Sequence, residues 1–505
     1  MRISDLLSKY ETRYSSLSNL STYNVGGETL SAFVEHVGCN SGAIGKNWLF
    51  CCIRGARRDG HDFAAEALHN GASVLLSEHP LPLEIPQIIS SDVRRDMGRI
   101  SSIVYGEPAL KMRMFAVTGT NGKSTTTWII RHLLQSLGLR TGLMGTIVYS
   151  DGADEQDAGR TTPESCDIQR LLAKMVKNGC SACVMETSSH GLDLGRIEGC
   201  SFDGAVFTNL SEEHLDYHGT LERYFNVKAG LFASYMKQGW SGGVNTDDAY
   251  GKRLFDKYPE SLLSFGLNGT RTDALRGRDI SCSLSGTAFS VSLPGTEAGI
   301  PLDFPLPGRF NVYNALAALS VTLPFASDVK MLLQALSTMV QVPGRMETFS
   351  FDNGLCCIID FAHTPEALKN VLTEVRKLCR GKIFSVFGHG GERFQPNRFS
   401  LGMIAAALAD EIIVTMDNPR NEAPEQIALQ IAEGVRAGER TVSLNTILDR
   451  SVAVRTALNA ANPGDVVVVS GKGPEKFLQI GSRSIPYSDG DEVRRWAAER
   501  GLGWR

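Results

Sequence analysis

The stretch FAVTGTNGKSTTTWIIRHLL, residues 115–134, constrains the fold more than any other part of the sequence. An apolar run typical of a buried strand leads through two glycines and a lysine into an amphipathic helical pattern. Glycines at such a turn let backbone N–H groups face an anion, and the helix dipole adds to the attraction. The stretch therefore predicts a strand, a phosphate-binding loop and a helix in that order.

Within this loop, Gly119 to Gly122 predict the anion cradle and Lys123 supplies a positive charge. Ser124 or Thr125 offers a hydroxyl to Mg²⁺. The general pattern G-x-x-x-x-G-K-[ST] is not strictly met, because Val117 stands at its first position. A plain strand-to-helix turn is the alternative, but such a turn would not need a lysine beside Gly122.

Apolar strands alternate with helical patterns along most of the chain, which favours an α/β fold with doubly wound parallel sheets. The strand-like runs of the two larger sheets are MFAVT, SACVMET and GAVFTNL in the middle of the chain, and LCCIIDFAH, KIFSVFGHGG, DEIIVTMDNP and DVVVVSGKG towards its end. Between the two groups lies a β-patterned segment rich in Gly, Ser and Pro, from SCSLSG to PLPGRF.

A length of 505 residues, 42% of them hydrophobic, predicts about three domains. Residues 1–110 predict a small N-terminal α/β domain, in which a helix is closed by Gly71. Residues 111–342 predict a central parallel-sheet domain of the phosphate-loop type. Residues 343–505 predict a C-terminal Rossmann-like α/β domain, and QVPGRME reads as the linker before it.

Charge and hydropathy narrow the classes of partner. The net charge is −4 and no basic stripe is interleaved with aromatics, so we expect no nucleic-acid partner. The N-terminal residues 1–18 lack the apolar core of a signal peptide, and no run of about 18 apolar residues occurs. We therefore expect a cytoplasmic protein that does not act at a membrane. We also expect a monomer with small-molecule substrates, although this does not follow from charge or hydropathy.

Eleven cysteines, an odd and scattered set, predict free thiols in a reducing compartment. Cys180 and Cys183 form a CxxC, for which zinc or redox chemistry is one interpretation. No second pair accompanies it, and it leads into an apolar strand. A buried structural role is therefore the favoured interpretation.

Three further residues are candidates for chemistry. Glu186 ends an apolar strand, where a carboxylate is costly unless it meets a cation. His214 follows another strand, and Lys228 lies in the helical pattern RYFNVKAGLF. Taken singly, His214 could be a loop hydrogen-bonder, Lys228 a solvated surface lysine and Glu186 either structural or functional.

Taken together with GTNGKST, these stretches resemble the Mur ligases, the ATP-dependent amide-forming enzymes of peptidoglycan precursor synthesis. The resemblance covers nearly the whole chain, and continues through LPGRFNVYNALAA, VPGRME, DFAHTPEAL and GKG. It implies a three-domain α/β ligase that acts in cell wall biogenesis, and thereby in cell shape and division.

The resemblance also implies residue roles at the nucleotide. Lys123, Glu186, His214 and Lys228 are implied to be catalytic. Two Mg²⁺ ions are implied, with Ser124 and Glu186 on the first and His214 on the second; Lys228 is implied to carry a carbamate formed from CO₂ that helps to hold metal. The residues implied to bind ATP are Gly119, Thr120, Asn121, Gly122, Lys123, Ser124, Thr125, Asn311, Asn314, Arg345, Asp360 and His363.

A second set is implied to hold the UDP-linked substrate. Its members are Ser41, His61, Thr161, Thr162, Ser188 and Arg196. The family's uridine-binding D-S-R reads CNSG here, Cys39 to Gly42, so that a serine remains and the arginine is absent. Loss of an arginine from a diphosphate pocket removes a charge-assisted bond worth about 1.5–3 kcal/mol, which another arginine could replace.

The motif DNPRNE resembles the subgroup of the family that adds meso-diaminopimelate to UDP-N-acetylmuramoyl-L-alanyl-D-glutamate. Arg420 is implied to pair with the distal carboxylate of that amino acid, which L-lysine lacks. A plain Asx/Pro turn with a surface arginine is the alternative interpretation. The residues implied to hold the amino acid are Arg393, Asp417, Asn418, Pro419, Arg420, Gly471 and Glu475.

Two loops depart from the family pattern: G-K-G-H-E reads GKGPE, with Pro474, and G-G-D-R-D-x-G-K-R reads GGERFQPNR. The leading hypothesis is a diaminopimelate-adding ligase that works through an acyl phosphate. The second is a related ligase that couples an amino acid to a different carboxylate. The third, an inactive ATP-binding regulator, is disfavoured because all four implied catalytic residues stand.

Overall fold

The computed structural model describes residues 1–14, 20–24, 32–55, 58–269, 273–296 and 298–504, so that residues 15–18 of the N-terminal stretch lie outside it. The chain packs into two compact units. The first comprises Met1–Arg276, Leu293–Glu297 and Tyr313–Ala335; the second comprises Gly277–Ser292, Ala298–Val312 and Leu336–Arg505. Among the described residues, no helix is both long and apolar enough to cross a membrane.

The first unit begins with a five-stranded sheet of order β1-β5-β4-β3-β2, in which only β1 is antiparallel to its neighbour. The predicted runs WLFCCI, ASVLLS and PQIIS form β3, β4 and β5. The bounds are α1 Ile3–Tyr14, β1 Ser21–Tyr23, β2 His36–Gly38, β3 Trp48–Cys51, α2 Ala64–His69, β4 Ala72–Ser77, β5 Gln87–Ile89 and α3 Val93–Val104.

A buried carboxylate ties this sheet to its helices. Asp96 on α3 is fully buried and accepts hydrogen bonds from Tyr10 on α1 (2.5 Å) and from Ser90 after β5 (2.5 Å). Arg99 pairs with the same carboxylate at 3.0 Å. Because all its partners lie in the N-terminal hundred residues, this network fixes how α1 and α3 pack on the sheet.

A larger sheet follows in the first unit, with the order β13-β12-β11-β6-β10-β7-β8-β9. The strands from β13 to β7 are parallel, and β8 and β9 are antiparallel additions at one edge. Its strands are β6 Arg113–Thr118, β7 Thr141–Met144, β8 Val148–Ser150, β9 Glu155–Asp157, β10 Ala182–Glu186, β11 Phe202–Phe207, β12 Met236–Asn245 and β13 Leu262–Gly266. Its helices are α4 Lys123–Ser136, α5 Ser165–Lys177, α6 Ser189–Asp193, α7 Leu215–His218, α8 Leu221–Ser234 and α9 Ala249–Lys257.

The predicted β-patterned segment forms three strands, followed by two helices. These are β14 Leu275–Ser283, β15 Gly286–Ser292, β16 Gly299–Phe304, α10 Arg309–Thr322 and α11 Val329–Ser337. In the first unit, Leu275 and Arg276 extend the parallel sheet by pairing with Phe265 and Gly266. In the second unit, β15 and β16 form an antiparallel pair.

The second unit contains a six-stranded sheet of order β17-β18-β22-β19-β20-β21, parallel except for β17. Helices cover both faces, so its central strands are apolar throughout, as in VVVVS. The bounds are β17 Glu347–Ser350, β18 Cys356–Asp360, α12 Pro365–Leu378, β19 Ile383–Phe387, α13 Pro396–Leu408, β20 Glu411–Val414, α14 Pro424–Arg436, β21 Ser443–Thr446, α15 Arg450–Ala460, β22 Val466–Ser470, β23 Phe477–Ile480, β24 Arg483–Pro486 and α16 Asp489–Glu499. The predicted α/β class with parallel sheets is confirmed.

A buried ion pair joins two helices of the second unit to the edge of its sheet. Arg450 and Asp489 are both fully buried, and two N–H groups of Arg450 donate to the carboxylate at 2.8 Å each. Arg450 also donates to the carbonyls of Met416 (3.2 Å) and Ser470 (2.9 Å). One guanidinium therefore fixes the chain just after β20 and at the end of β22.

We predict that Asp489→Asn destabilises the chain by about 3–5 kcal/mol, because it leaves the Arg450 charge buried without its counter-ion. Lys377→Ala is the matched control, since it breaks the exposed pair with Glu374 and should change stability by less than about 0.5 kcal/mol. Calorimetric thermal unfolding of the two variants measures the difference. Equal losses of stability in the two variants would contradict the conclusion that the Arg450–Asp489 pair stabilises the second unit.

Candidate functional site

Three neighbouring parallel strands of the first unit end at the same edge of the sheet. In the register, Val117 on β6 lies opposite Glu186 on β10, and Thr118 lies opposite Phe207 on β11. Loops that follow such strands converge at the carboxyl edge of a parallel sheet. The predicted phosphate loop, Glu186 and the turn after β11 are therefore close together.

Two glycines of the loop have conformations and surroundings that exclude a side chain. Gly119 has a φ of 143°, and a Cβ there would lie 1.9 Å from the Thr208 hydroxyl. Gly122 has a φ of 85°, and a Cβ there would lie 2.4 Å from Oδ1 of Asn314. Both are left-handed positions that glycine alone adopts without strain. Glycine is thus required at both positions, because the backbone has a positive φ and because a Cβ atom would contact a neighbouring side chain.

The turn after β11 holds the loop backbone in place. Thr208 donates to the carbonyl of Asn121 at 2.7 Å, and the Asn209 side-chain oxygen accepts from the Asn121 N–H at 2.9 Å. The Asn209 carbonyl accepts from the Thr120 N–H at 2.9 Å. The sequence reasoning missed Thr208 and Asn209, although polar residues directly after the strand in FTNL were the available signal.

Two lysines meet at one backbone carbonyl of the loop. Lys123 Nζ donates to the carbonyls of Gly119 (3.1 Å) and Thr120 (2.7 Å), and Lys228 Nζ donates to Gly119 at 2.7 Å. Lys228 is 1% exposed, so its interpretation as a surface lysine is wrong. Burial, together with the charge of Lys123, lowers the pKa of the Lys228 amine well below its usual value.

Glu186 is the buried last residue of β10. Its oxygens accept from the Thr146 N–H (2.8 Å) and from the Thr146 hydroxyl (3.0 Å). In the part of the chain that the structure describes, no basic side chain forms an ion pair with it. A buried carboxylate with no basic partner among the described side chains fits a ligand of Mg²⁺.

The other predicted metal ligands are a hydroxyl and an imidazole. Ser124 is buried in the first turn of α4. His214 has a left-handed φ of 57° and its ring lies 4.8 Å from that of His190. Burial lowers the pKa of His214, and Lys123 and Lys228 add to the effect. Within the described ranges, no group of three or more His, Cys, Asp and Glu side chains could hold a metal unaided, so Mg²⁺ there would keep waters or substrate oxygens as ligands.

The predicted sites for the muramoyl peptide lie beside Glu186. Thr161 shares a hydroxyl hydrogen bond with Thr146 at 3.0 Å. Thr162 donates to the Glu186 carbonyl at 2.9 Å, and its hydroxyl lies 3.1 Å from that of Ser188. Ser188 also caps α6 by accepting from the Gly191 N–H. The structure therefore brings these three hydroxyls together.

A cluster of arginines surrounds one carboxylate next to these hydroxyls. Arg196 donates to the Thr162 carbonyl and pairs with Glu164 at 3.1 Å. Arg160 also pairs with Glu164, and Arg94 lies 3.5 Å from its other oxygen. Three guanidinium groups on one carboxylate leave an excess of positive charge, which suits an anionic substrate. Of these residues, the sequence reasoning found only Arg196.

Ser41 and His61 lie at the N-terminal sheet. Ser41 begins a short 3₁₀ turn capped by Asn40, and its carbonyl accepts from Asn70 at 3.0 Å. His61 Nε2 accepts from the Glu78 N–H at 3.1 Å, so Nδ1 carries the proton and donates to Asp59 at 2.6 Å. Both ring nitrogens of His61 are therefore occupied, and its buried ring stacks on that of His79 at 4.8 Å between centroids.

Asn311 and Asn314 lie one turn apart on α10. Asn314 belongs to the first unit, where the Thr126 hydroxyl lies 3.3 Å from its Oδ1. Asn311 belongs to the second unit and donates to the Pro307 carbonyl at 2.8 Å. The structure thus places Asn314 against the phosphate loop.

In the second unit, Asp360 ends β18. Its two oxygens accept from the N–H groups of Met346 and Ala362 at 2.8 Å each. Burial raises the pKa of Asp360. The Arg345 guanidinium lies 4.8 Å from the Phe361 ring, on which exposed His363 also packs.

The DNPR loop follows β20 and is organised by a buried lysine. Lys472 is fully buried and donates to Glu475 at 2.7 Å and to the Asn418 side chain at 3.1 Å. Asn418 in turn donates to Glu475 at 2.8 Å, and Asp417 lies 3.9 Å from the ammonium. Gly471, with a φ of 108°, brings this segment beside Asp417. The motif GKG in the sequence did not predict this role for Lys472.

Arg420 has the geometry of a held guanidinium and not of a solvated surface arginine. It is half-buried with a φ of 52°, its N–H donates to Gln479 at 3.1 Å, and its Nη1 donates to the Gly391 carbonyl. The preceding Pro419 lies against Gly391, where a Cβ would meet the Pro419 carbonyl at 1.9 Å. Arg393 is exposed on the same loop as Gly391.

Buried Arg398 holds the loop that contains Gly391 and Arg393 in place. It is 1% exposed, pairs with Glu422 at 2.8 Å and donates to Gln430 at 2.8 Å. Its Nε also approaches Nδ1 of His389 at 3.5 Å. Burial lowers the pKa of His389 to about 4, and the Arg398 charge adds to the effect.

Three family models match consecutive parts of the chain. The Mur ligase family catalytic domain matches residues 33–104, the Mur ligase middle domain residues 117–322 and the Mur ligase glutamate ligase domain residues 344–473. Together the matches follow the order of the N-terminal sheet, the phosphate loop and the DNPR loop.

Similar proteins extend over almost the full length. The UDP-N-acetylmuramoyl-L-alanyl-D-glutamate--2,6-diaminopimelate ligase of Geobacillus kaustophilus is 38% identical over 469 residues, 92% of this chain and 94% of that one. The enzyme of the same name from Aquifex aeolicus is 37% identical over 461 residues, 91% and 93% of the two chains. A solved structure of a ligase of this name has a TM-score of 0.65 and 30% identity, covering 93% and 95%.

The fold and the phosphate loop, together with these matches, define an ATP-dependent ligase. The chain belongs to the Mur ligase family. The MurF ligase from Thermotoga maritima, solved in complex with ADP, shares the fold with a TM-score of 0.63 at 19% identity, covering 86% of this chain and 94% of that one.

We predict that Gly122→Ala destabilises the chain more than Gly138→Ala does. Their φ angles are 85° and 81°, so both variants carry a backbone cost of about 1 kcal/mol. A Cβ at Gly138 meets nothing within 4 Å, whereas at Gly122 it meets Asn314, which should add about 1–3 kcal/mol. Calorimetric unfolding measures both, and equal losses would contradict the loop geometry.

A second prediction concerns His389. Its folded pKa of about 4 lies below the unfolded value of about 6.5, so between these values the unfolded chain binds the extra proton. Stability is therefore lost as pH falls from 6.5 towards 4, by about 2 kcal/mol at pH 5. His389→Gln should lack this part of the acid destabilisation, while exposed His69→Gln should retain it. Identical pH slopes in calorimetric unfolding of the two variants would refute the prediction.

Proposed function

We propose that this chain adds meso-diaminopimelate to UDP-N-acetylmuramoyl-L-alanyl-D-glutamate with hydrolysis of ATP to ADP and phosphate, as a step of peptidoglycan precursor synthesis. The observation that carries the proposal is the 38% identity to a ligase of that name over 92% of this chain. The phosphate loop, the arginine cluster at Glu164 and the DNPR loop each supply a binding element that this reaction needs. We propose further that the enzyme works as a cytoplasmic monomer.

The first step is transfer of the γ-phosphoryl group to the substrate carboxylate. A carboxylate is a poor acyl donor, because expulsion of oxide is prohibitive; the acyl phosphate replaces oxide by phosphate as the leaving group. The loop amides and Lys123 would hold the β- and γ-phosphates, and the positive excess around Arg196 would hold the anionic acceptor. These cations offset the repulsion between two anionic reactants.

The second step is attack of the amine on the acyl phosphate. The attacking nitrogen must be neutral, and its addition gives a tetrahedral intermediate that expels phosphate and leaves the amide. Exclusion of water matters at this stage, because water would hydrolyse the acyl phosphate. The reaction therefore needs the amino acid to be held with its amine directed at the acyl carbon.

Ser124, Glu186 and His214 are the residues that would hold Mg²⁺. Bound there, Mg²⁺ would supply charge neutralisation at the phosphates. The observation that fits this assignment is the buried Glu186 carboxylate, whose side-chain partners among the described residues are the two Thr146 donors. We propose two ions, the second at His214.

Lys228 is proposed to react with CO₂ and form a carbamate. Only a neutral amine attacks CO₂, and the lowered pKa of the Lys228 amine makes the neutral form available at lower pH than for an exposed lysine. A proton is released, and the product is an anion that forms an attractive pair with the Lys123 ammonium. This change favours the modification energetically.

We predict that Lys228→Ala lowers kcat by at least about 100-fold and that millimolar formate or acetate restores part of it, since a small carboxylate can occupy the place of the carbamate. Exposed Lys252→Ala is the control and should neither lose activity nor respond to these acids. Initial rates of ADP release measure both. Full activity of Lys228→Ala without added acid would exclude the carbamate role.

The choice of amino acid is proposed to depend on Arg420. Its backbone and Nη1 are fixed by Gln479 and Gly391, and in the described part of the chain its Nε and Nη2 groups have no acceptor. Two N–H groups in the plane of a guanidinium match a carboxylate. The distal carboxylate of meso-diaminopimelate fits this position, and L-lysine has none.

We predict that Arg420→Ala lowers kcat/KM for meso-diaminopimelate by roughly 10- to 150-fold, the loss of about 1.5–3 kcal/mol. Arg483→Ala removes an exposed guanidinium from the neighbouring β23–β24 hairpin and should leave kcat/KM unchanged. ADP release with the UDP-muramoyl dipeptide, compared between meso-diaminopimelate and L-lysine, is the assay. Preference of the unaltered enzyme for L-lysine would reject the proposed amino acid.

A ligase for a different carboxylate is the second candidate. The Cys39–Gly42 segment lacks the family's arginine, and it adjoins a cavity of about 600 Å³ that is lined by more acidic than basic side chains. The charged lining residues are Asp151, Asp154, Glu155, Glu164 and Asp167 against Arg160, Arg170 and Lys174. Such a lining disfavours a diphosphate. A thermal-shift comparison of the UDP-muramoyl dipeptide with other carboxylic acids would separate the two candidates.

A further inference from the structure

Two cysteines from distant parts of the sequence meet in the first unit. Cys39 directly follows β2, and Cys166 lies in the first turn of α5. Both pack in the cluster that includes Val37 and Cys51. Each thiol also shifts the pKa of the other, as expected for neighbouring groups. The pair therefore links the N-terminal sheet to a helix of the central sheet.

The two thiols differ in access to solvent. Cys39 is half-buried and lines the cavity of about 600 Å³, together with Asn40, Tyr149 and Pro163. Cys166 is 1% exposed and lies behind it. A small reagent that enters the cavity therefore meets Cys39 first, and Cys166 is the neighbour that can react with the product.

The electrostatic surroundings of the two thiols also favour Cys39 as the first to react. Interaction with the Cys166 thiol lowers the pKa of Cys39, against the opposing effects of burial and of the Glu164 and Asp167 carboxylates; Arg160 adds a smaller lowering effect. The same contact and burial raise the pKa of Cys166. Cys39 is thus the more readily ionised thiol, and the thiolate is the form that attacks a peroxide.

We propose that Cys39 and Cys166 are a peroxide-reactive pair that forms a reversible disulfide. In the first step the Cys39 sulfur attacks hydrogen peroxide, the O–O bond breaks, and sulfenic acid and water form. In the second step the Cys166 sulfur attacks the sulfenic sulfur, the S–O bond breaks, and the hydroxyl leaves as water with the Cys166 proton. Two thiols are oxidised, one peroxide is reduced to two waters, and a dithiol reductant reverses the change.

The disulfide would act on the neighbouring Asn40–Gly42 turn. This consequence rests on the proposed function, in which Ser41 contacts the UDP-linked substrate. A covalent bond at Cys39 fixes the chain directly before that turn to α5. We expect the oxidised enzyme to show a several-fold higher KM for the UDP-muramoyl dipeptide with the KM for ATP unchanged, and dithiothreitol to restore the original value.

Peptide mapping of the full chain tests the pair without reference to activity. After brief hydrogen peroxide treatment and alkylation of remaining thiols, a non-reducing digest should contain a cross-linked peptide that joins residues 39 and 166, two hydrogens lighter than the sum of the separate peptides. Cys39→Ser and Cys166→Ser should each abolish it. Cys379→Ser, which alters another half-buried cysteine, should leave it unchanged.

Three outcomes would overturn the proposal. These are complete alkylation of Cys39 after peroxide, conversion of Cys39 to sulfinic acid without cross-linking, and a cross-link that persists in Cys166→Ser. Because the unaltered chain is mapped directly, misfolding of a variant does not decide the result. A cross-link in a chain that does not turn over the muramoyl dipeptide would support the cysteine pair and reject the proposed ligase reaction. Failure of the cysteine proposal can therefore be distinguished from failure of the proposed function.

Discussion

The carbonyl oxygen of Gly119 accepts hydrogen bonds from the Nζ groups of two lysines, and the rest of the site depends on this contact. Lys123 reaches it from the start of α4 and Lys228 from the middle of α8. The carbonyl is available because Gly119 adopts a φ that other residues avoid and because Thr208 and Asn209 hold the next residues of the loop. Burial and the charge of Lys123 lower the pKa of the Lys228 amine, and in our proposal the site receives anions: phosphates at the loop and a carbamate on Lys228.

Buried cations organise the second unit as well, but there they are neutralised within the protein. Arg450 is paired with Asp489 and reaches the carbonyls of Met416 and Ser470. Lys472 joins the DNPR loop to Glu475. Because these charges are paired within the protein, they hold the loops in place, while in our proposal Arg420 binds the amino acid. Both units thus contain buried basic side chains. In the first unit they lie at the predicted phosphate loop, and in the second they hold the loops in place.

Much of this could be predicted from the sequence, and the exceptions have physical causes. The strands were predicted because a parallel sheet covered on both faces needs unbroken apolar runs, and the phosphate loop because glycines and a lysine at a strand end are seldom needed otherwise. The burial of Lys228 was not, since RYFNVKAGLF has the apolar spacing of many helices and does not say what covers the lysine. Thr208, Asn209, Lys472 and Arg398 act through partners distant in sequence, so spacing alone did not reveal them. The three predicted domains remain a proposal beside the two packed units.

In the proposed mechanism, a carboxylate is activated by taking up phosphate from a nucleotide held at Gly122 and Lys123. Transfer of oxygen isotope tests this most directly. With ¹⁸O in the reacting carboxylate of the UDP-muramoyl dipeptide, turnover with ATP and meso-diaminopimelate should release inorganic phosphate that carries one ¹⁸O atom, measured by the isotope shift of its ³¹P resonance. Phosphate free of label, in a reaction that nevertheless forms the amide, would contradict an acyl phosphate and with it the role assigned to the loop.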